Sequence, residues 1–218
     1  ALIARPEDHL HSTMSLLEVS NLRIRLQTHR GPADAVRGVS FSLARGETLG
    51  LIGESGCGKS ITAMSLMGLL PDSAQVTGSI RFDGQELVGR TDAQMCQMRG
   101  NRIGMVFQEP MTALNPVHTI GRQVAEPLRL HRGMNAAAAR TEAIALLDRV
   151  GIPNAAQRFD AYPHQFSGGQ RQRITIAMAL ACGPDLLIAD EPTTALDVTI
   201  QQQILDLISD LVAERNMA

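Results

Sequence analysis

"GESGCGKS", Gly53 to Ser60, decides the fold. It matches G-x-x-x-x-G-K-[ST] at every fixed position, and its surroundings give the pattern a structural meaning. Ahead of it "GETLGLIG" is an apolar run that stops at the loop's first glycine, and behind it "KSITAMSLMGLL" has helical spacing. Strand, glycine-rich loop and helix in that order form a phosphate cradle: the glycines let backbone N–H groups curl round an anion, and the helix N-terminus adds partial positive charge. Gly53, Glu54, Ser55, Gly56, Cys57, Gly58, Lys59, Ser60 and Ile61 are the candidate phosphate-binding residues. Lys59 reaches the terminal phosphates, and the Ser60 hydroxyl is a candidate ligand for Mg²⁺. Lys59 is the only lysine among the chain's 20 basic residues. A compact ammonium fits between phosphate oxygens where a planar guanidinium would need a different loop.

The bulk composition narrows the class. The 218 residues are 44% hydrophobic and 19% charged, which suits a folded globular chain rather than a disordered one. A net charge of -2 gives no electrostatic reason to expect a nucleic-acid partner. No apolar run approaches the ~18 residues of a membrane span. Cys57, Cys96 and Cys182 form no C-x-x-C pair, which favours a reducing compartment.

Further along, "LLEVSNLRIRL" and "GSIRFDG" read as strands, the second closed by a turn, and "DAQMCQMR" as a polar helix. "RIGMVFQ" is a buried strand ending at Gln108. From 109 to 169 the composition turns helical, with a Pro-containing loop and the helices "GRQVAEPLRLH" and "NAAAARTEAIALLDRVGI", the latter capped by Asn135. "GQRQRITIAMALAC" and "TIQQQILDLISDLVAER" are helices flanking the buried strand "DLLIAD". These signals predict an α/β fold with a mostly parallel sheet, an antiparallel β segment and an inserted α-helical subdomain. The expected division is 14–108 plus 170–218 for the core and 109–169 for the helical part. Residues 1–13 are expected to precede the natural start at Met14, and the core is expected to be incomplete at its C-terminal end.

Three other stretches carry chemistry. Asp190 and Glu191 end "LLIADE", at the tip of a buried parallel strand, where ligands bind in such sheets. Asp190 is the candidate to hold Mg²⁺, and Glu191 to act as general base on an attacking water. Gln108, a neutral amide at another strand end, suits contact with both the metal and that water. "FSGGQRQR" (166–173) is a second anion-binding helix start, far in sequence from the first. Either it is a glycine-rich turn capping an ordinary helix, or Ser167, Gly168, Gly169 and Gln170 serve a nucleotide held by another copy in a head-to-tail pair.

Together these stretches resemble the nucleotide-binding domain of ABC transporters, a P-loop NTPase of the RecA-like type, from Leu16 to the end of the chain. The resemblance implies ATP and Mg²⁺ as cofactors and ATP hydrolysis as the activity. It makes Gly53–Ser60 the Walker A motif, Gln108 the Q-loop, "FSGGQ" the signature, "LLIADE" the Walker B and "TALD", with Asp197, the D-loop. It implies a partner ATPase domain, identical or related, and transmembrane permease subunits, with a solute-binding protein acting indirectly. The location implied is peripheral, on the cytoplasmic side of the inner membrane. "QEPMTALNP" and "YPHQFSGGQRQRI" look like the branch that imports dipeptides, oligopeptides, nickel and glutathione. In that branch the segment after the Q-loop meets the permease, which makes Met111, Leu114, Asn115 and Pro116 candidate docking residues.

Two departures qualify the resemblance. The family's histidine beyond the Walker B helix has no counterpart, since none of the six histidines follows Glu191. Nucleotide binding by this chain is therefore expected to be stronger than its turnover. The adenine-stacking aromatic is also missing: no Phe, Tyr or Trp lies between Leu16 and Ser40, and His29 is the nearest substitute. The guanine-reading N-K-x-D motif is absent as well, which favours ATP. Cys57 sits beside Lys59 and a helix start, which predicts a thiol that alkylates and is protected by bound nucleotide. A soluble ATPase of the same superfamily acting on nucleic acid or ribosomes is the alternative; the compact interval between Walker A and signature, with no basic run, speaks against it. A P-loop kinase or GTPase leaves "FSGGQRQR" and "TALD" without a role.

Overall fold

The alternation of "LEVSNLRIRLQT" sets the first sheet of the protein, seen here in a computed structural model that describes residues 15–193 and 197–218. Residues 1–13 and Met14 lie outside the described residues. β1 (Leu17–Thr28) buries Leu17, Val19, Leu22 and Ile24 and turns its charged residues outward. It pairs antiparallel with β2 (Gly31–Leu43) on one side and β3 (Gln75–Phe82) on the other, and β4 (Gln85–Glu86) adds to β3, giving the order β2-β1-β3-β4. The register stacks apolar side chains: Leu17 lies opposite both Leu43 and Phe82, Val19 opposite Ile80, and Ile24 opposite Val36. Asp83 (φ 49°) and Gly84 (φ 74°) make the two-residue turn into β4, as left-handed Asp-Gly pairs do in hairpins. α1 (Lys59–Leu66) buries Thr62, Ala63, Ser65 and Leu66, and α2 (Asp92–Cys96) buries Met95.

Two features of this part depart from the sequence reading. β2 was not foreseen, because Gly31-Pro32 reads as a turn; Pro32 is accommodated because β2 is an edge strand. The strand expected over Gly46–Gly53 joins neither ladder. Apart from a single bridge position at Ile52 the run has no regular secondary structure, and Ile52 is 76% exposed. Gly50 and Gly53 lower the run's intrinsic strand tendency, so its form depends on its neighbours.

Contacts divide the chain after Cys96, with residues 15–96 and Ala218 in one unit and Gln97–Met217 in the other. In the second unit β5 (Ile103–Val106) and β6 (Leu186–Ala189) pair in parallel, Ile103 with Leu186 through Val106 with Ala189. They form a separate two-stranded sheet, the parallel pairing among the described residues, so the antiparallel sheet is the larger of the two. Around them lie α3 (Pro110–Ala113), α4 (Ile120–Arg132), α5 (Ala136–Arg149), α6 (Ala155–Arg158), α7 (Gly168–Leu180) and α8 (Val198–Arg215). The "Pro-containing loop" of the sequence reading thus includes a short helix. Asn135 caps α5 as expected, its side-chain oxygen accepting from the Ala138 N–H at 2.9 Å. One apolar core joins these elements, with Val106, Ile120, Val124, Leu147, Ile174 and Ile204 all fully buried.

Candidate nucleotide site

The phosphate loop enters α1 through Gly58, whose φ of 100° lies in the left-handed region. A Cβ at Gly58 would sit 2.7 Å from the Ala35 carbonyl oxygen, so the loop packs directly on β2 and admits no side chain here. Gly58 brings no side chain to cap α1, and the start of the helix carries the partial positive charge that suits an anion. The Lys59 ammonium arches back over the loop and donates to the carbonyls of Gly53 (2.8 Å) and Glu54 (3.3 Å). The Cys57 sulfur leans toward Gly53, where an added Cβ would come within 2.4 Å of it. Glu54, Ser55 and Gly56 are exposed; Ser60 and Ile61 are partly buried in the first turn.

In the second unit the chemistry gathers at the ends of β5 and β6. Arg102 and Asp185 join the strand bases, 2.7 Å apart, and the Asp190 N–H donates to the Val106 carbonyl at 3.0 Å beyond the last ladder pair. The parallel register therefore brings Gln108 level with Glu191, and Gln108 Nε2 donates to Glu191 Oε2 at 3.1 Å. Glu191 has φ 46°, a left-handed conformation rare for a residue with a side chain and found where the surroundings dictate it. Gln108, Asp190 and Glu191 are thus brought to one place.

The signature begins α7. Ser167 and Gln170 form a reciprocal capping box: Ser167 Oγ accepts from the Gln170 N–H (3.3 Å) and Gln170 Oε1 from the Ser167 N–H (3.2 Å). The capping role weighed from sequence is thus present, while Ser167 and Gly168 remain exposed. Gly169 lets α8 approach, since a Cβ there would lie 2.9 Å from Ile200 Cγ2. Gly104 does the same for α7 on β5, where a Cβ would meet the Ala179 carbonyl at 2.4 Å. The helix carrying the signature is consequently seated on β5, the strand that leads to Gln108. Asp197 is an exposed residue at the start of α8; Thr194, Ala195 and Leu196 lie outside the described residues.

One docking candidate needs correction. Leu114 is 3% exposed and belongs to the apolar core, because the turn after α3 folds it inward. Asn115 and Pro116 are exposed, and the side chain of Met111 lies outside those described. The sequence reading missed Val117, which is 74% exposed beside them. It also missed the reason the turn holds: buried Gln123 accepts from the Asn115 N–H and donates to the carbonyls of Asn115 and His118.

A glycine-rich phosphate loop leading into a helix, and a carboxylate pair with a glutamine at adjacent parallel strand ends, define a P-loop NTPase. The chain belongs to the ABC transporter family, whose model matches residues 36–194. It is 56% identical over 198 residues to the dipeptide transport ATP-binding protein DppD of Bacillus subtilis, covering 90% of this chain and 59% of that protein. It is 51% identical over 203 residues to the oligopeptide transport ATP-binding protein OppD of Salmonella typhimurium, covering 93% and 61%. The chain therefore spans about three-fifths of the length of these curated relatives. Among solved structures it resembles a dimeric ATP-binding cassette in a post-hydrolysis state bound to ADP and Pi. That match has a TM-score of 0.77 at 29% identity, over 91% of this chain and 83% of the other. It also resembles cbiO1 from Clostridium perfringens, part of the ABC transporter complex cbiONQ, with TM-score 0.72 at 26% identity, over 93% and 76%.

Proposed function

We propose that the chain binds and hydrolyses ATP to power solute import through an ABC transporter, the solutes being peptides or related small molecules. The Gln108–Glu191 hydrogen bond is the observation that carries the chemical part. It holds a carboxylate beside a neutral amide at the strand tips, where Glu191 takes the proton of an attacking water and Gln108 orients it. Lys59 and the uncapped start of α1 hold the phosphates. The Ser60 hydroxyl, the Gln108 amide oxygen and the Asp190 carboxylate are the hard oxygen donors that suit Mg²⁺. No group of three His, Cys, Asp or Glu side chains able to hold a metal occurs among the described residues. An ion held by Asp190 and substrate phosphates would offset charge on the reacting phosphoryl group.

The solute class rests on the names of the relatives, which are dipeptide and oligopeptide transport proteins. Two chains, identical or related, pair head to tail, with the exposed Ser167–Gly168 edge of one facing the nucleotide of the other. The segment 109–169 acts as the helical subdomain carrying that edge, and Asn115, Pro116 and Val117 meet the permease on the cytoplasmic side of the membrane. A solute-binding protein acts through the permease, not on this chain. No helix among the described residues is long and apolar enough to cross a membrane, which suits a peripheral subunit. Calorimetric titration with Mg-ATP tests the reading: the chain binds with a micromolar Kd and Lys59→Ala abolishes the heat. Absence of binding by the unsubstituted chain contradicts it.

A further inference from the structure

A nucleotide whose phosphates lie on residues 53–60 must place its base beside that loop, and no aromatic residue precedes the loop from Leu16 to Ser40. The first unit has a cavity of about 490 Å³ at this place, within the ~300–1,000 Å³ usual for small-molecule sites. Gly56 and Cys57 of the loop line it on one side, and Asp34, Ala35, Arg37 and Gly38 of β2 on the other. His29, at the tip of the β1–β2 hairpin, does not line it.

The shape of β2 explains the cavity. Arg25 pairs with Asp34 but Ile24 pairs with Val36, so Ala35 is an extra residue; Arg23 pairs with Arg37 but Leu22 with Val39, so Gly38 is another. These two bulges bracket Val36–Arg37 and re-aim the strand, as bulges beside binding sites do. Ala35 and Gly38 are small. Gly38, at φ 102° and with Asn21 Oδ1 3.0 Å from where a Cβ would sit, cannot be larger without strain. Val36 is buried against Gly58, which leaves Arg37 as the one long, planar side chain at the mouth. Asp34 is hydrogen-bonded to Arg25 (Nε to Oδ1, 2.7 Å), whereas Arg37 is exposed and acts on Asp34 only through its charge, which helps to hold that carboxyl below its ordinary value.

We propose that Arg37 is the platform on which the base of the bound nucleotide stacks, its guanidinium taking the place of an aromatic ring. This rests on the reading of Gly53–Ser60 as a triphosphate site. A guanidinium lies flat on a π-face and reads little of the base edge, so it confers affinity with weak choice among bases. GTP therefore binds within about threefold of ATP, a preference far below that of a site reading base-edge hydrogen bonds.

Titration of the chain and its Arg37 variants with ATP, GTP and inorganic tripolyphosphate, all with Mg²⁺, tests this. Arg37→Ala weakens ATP and GTP binding about five- to tenfold and leaves tripolyphosphate unchanged. Arg37→Tyr restores ATP binding, and Arg37→Lys, which keeps the charge but not the plane, does not. Equal loss for tripolyphosphate would make Arg37 a phosphate ligand and overturn the proposal. Unchanged ATP binding by Arg37→Ala would overturn it alone, with the triphosphate reading intact. No binding of any probe by the unsubstituted chain would overturn both.

Discussion

Gln108 and Glu191 stand 83 positions apart in sequence and 3.1 Å apart in space, the amide of one donating to the carboxylate of the other. The parallel pairing of β5 with β6 produces this contact, and in the proposed function the two residues act as one unit. Glu191→Gln lowers the ATPase rate of the chain about a hundredfold or more while leaving Mg-ATP affinity within about threefold. Steady-state phosphate release and calorimetry separate the two effects.

Gln108→Glu would set a second carboxylate beside Glu191. Two carboxylates that close cannot both ionise at their ordinary values, so one proton is retained to higher pH. The acid limb of the pH–rate profile of Gln108→Glu therefore moves upward, whereas Gln108→Ala lowers the rate without moving the limb. An unmoved limb in Gln108→Glu would show that the residues do not face each other during turnover.

Gly58→Ala tests the seat of the phosphate loop on β2. The methyl would meet the Ala35 carbonyl and hold a left-handed backbone, at a cost on the order of 2 kcal/mol, and nucleotide binding is lost with it. Thermal melts and ATP titration of the same sample check both.

The β3–β4 hairpin carries a pH dependence. Partial burial pushes the Glu86 carboxyl up, but hydrogen bonds from the Ser79 hydroxyl and the N–H groups of Ile80, Val88 and Leu87 more than offset this and hold it below its ordinary 4.5. A depressed carboxylate stabilises the fold above its unfolded-state value and loses that contribution as pH falls through the folded one. Glu86→Gln is accordingly less stable than the parent at pH 7, and the gap closes as pH falls below 4.5 and through the lowered folded value. Urea midpoints across pH 3–7 measure it.

The docking segment separates core from surface. Leu114→Ala costs about 2–5 kcal/mol of stability because it opens a cavity in the core. Val117→Ser leaves the melting temperature nearly unchanged and weakens only attachment to the permease, read by co-purification.

The motifs were legible because each couples a residue set to a local geometry. The fixed residues of "GESGCGKS" demand a left-handed loop, and Gly56 and Gly58 supply it with φ of 78° and 100°. The caps at Asn135 and Ser167 were readable from residue type and position. What escaped depends on partners distant in sequence. β2 is a strand because β1 offers it a ladder, although Gly31-Pro32 alone suggests a turn. Leu114 is buried because α4 and its neighbours close over the turn, and no local pattern announces that. Gln108 was a candidate from sequence, but its hydrogen bond to Glu191 depends on β5 and β6 lying side by side in register.

The solution mass of the Glu191→Gln variant, with and without Mg-ATP, tests the central claim most directly. Removing the general base traps the closed pair if each signature serves the nucleotide of the other chain. A monomer that becomes a dimer only with Mg-ATP, and reverts to a monomer when Ser167 is also replaced by Arg, is the result the account predicts. A monomer that binds Mg-ATP fully and never pairs, even when mixed with a related ATPase chain, would contradict it.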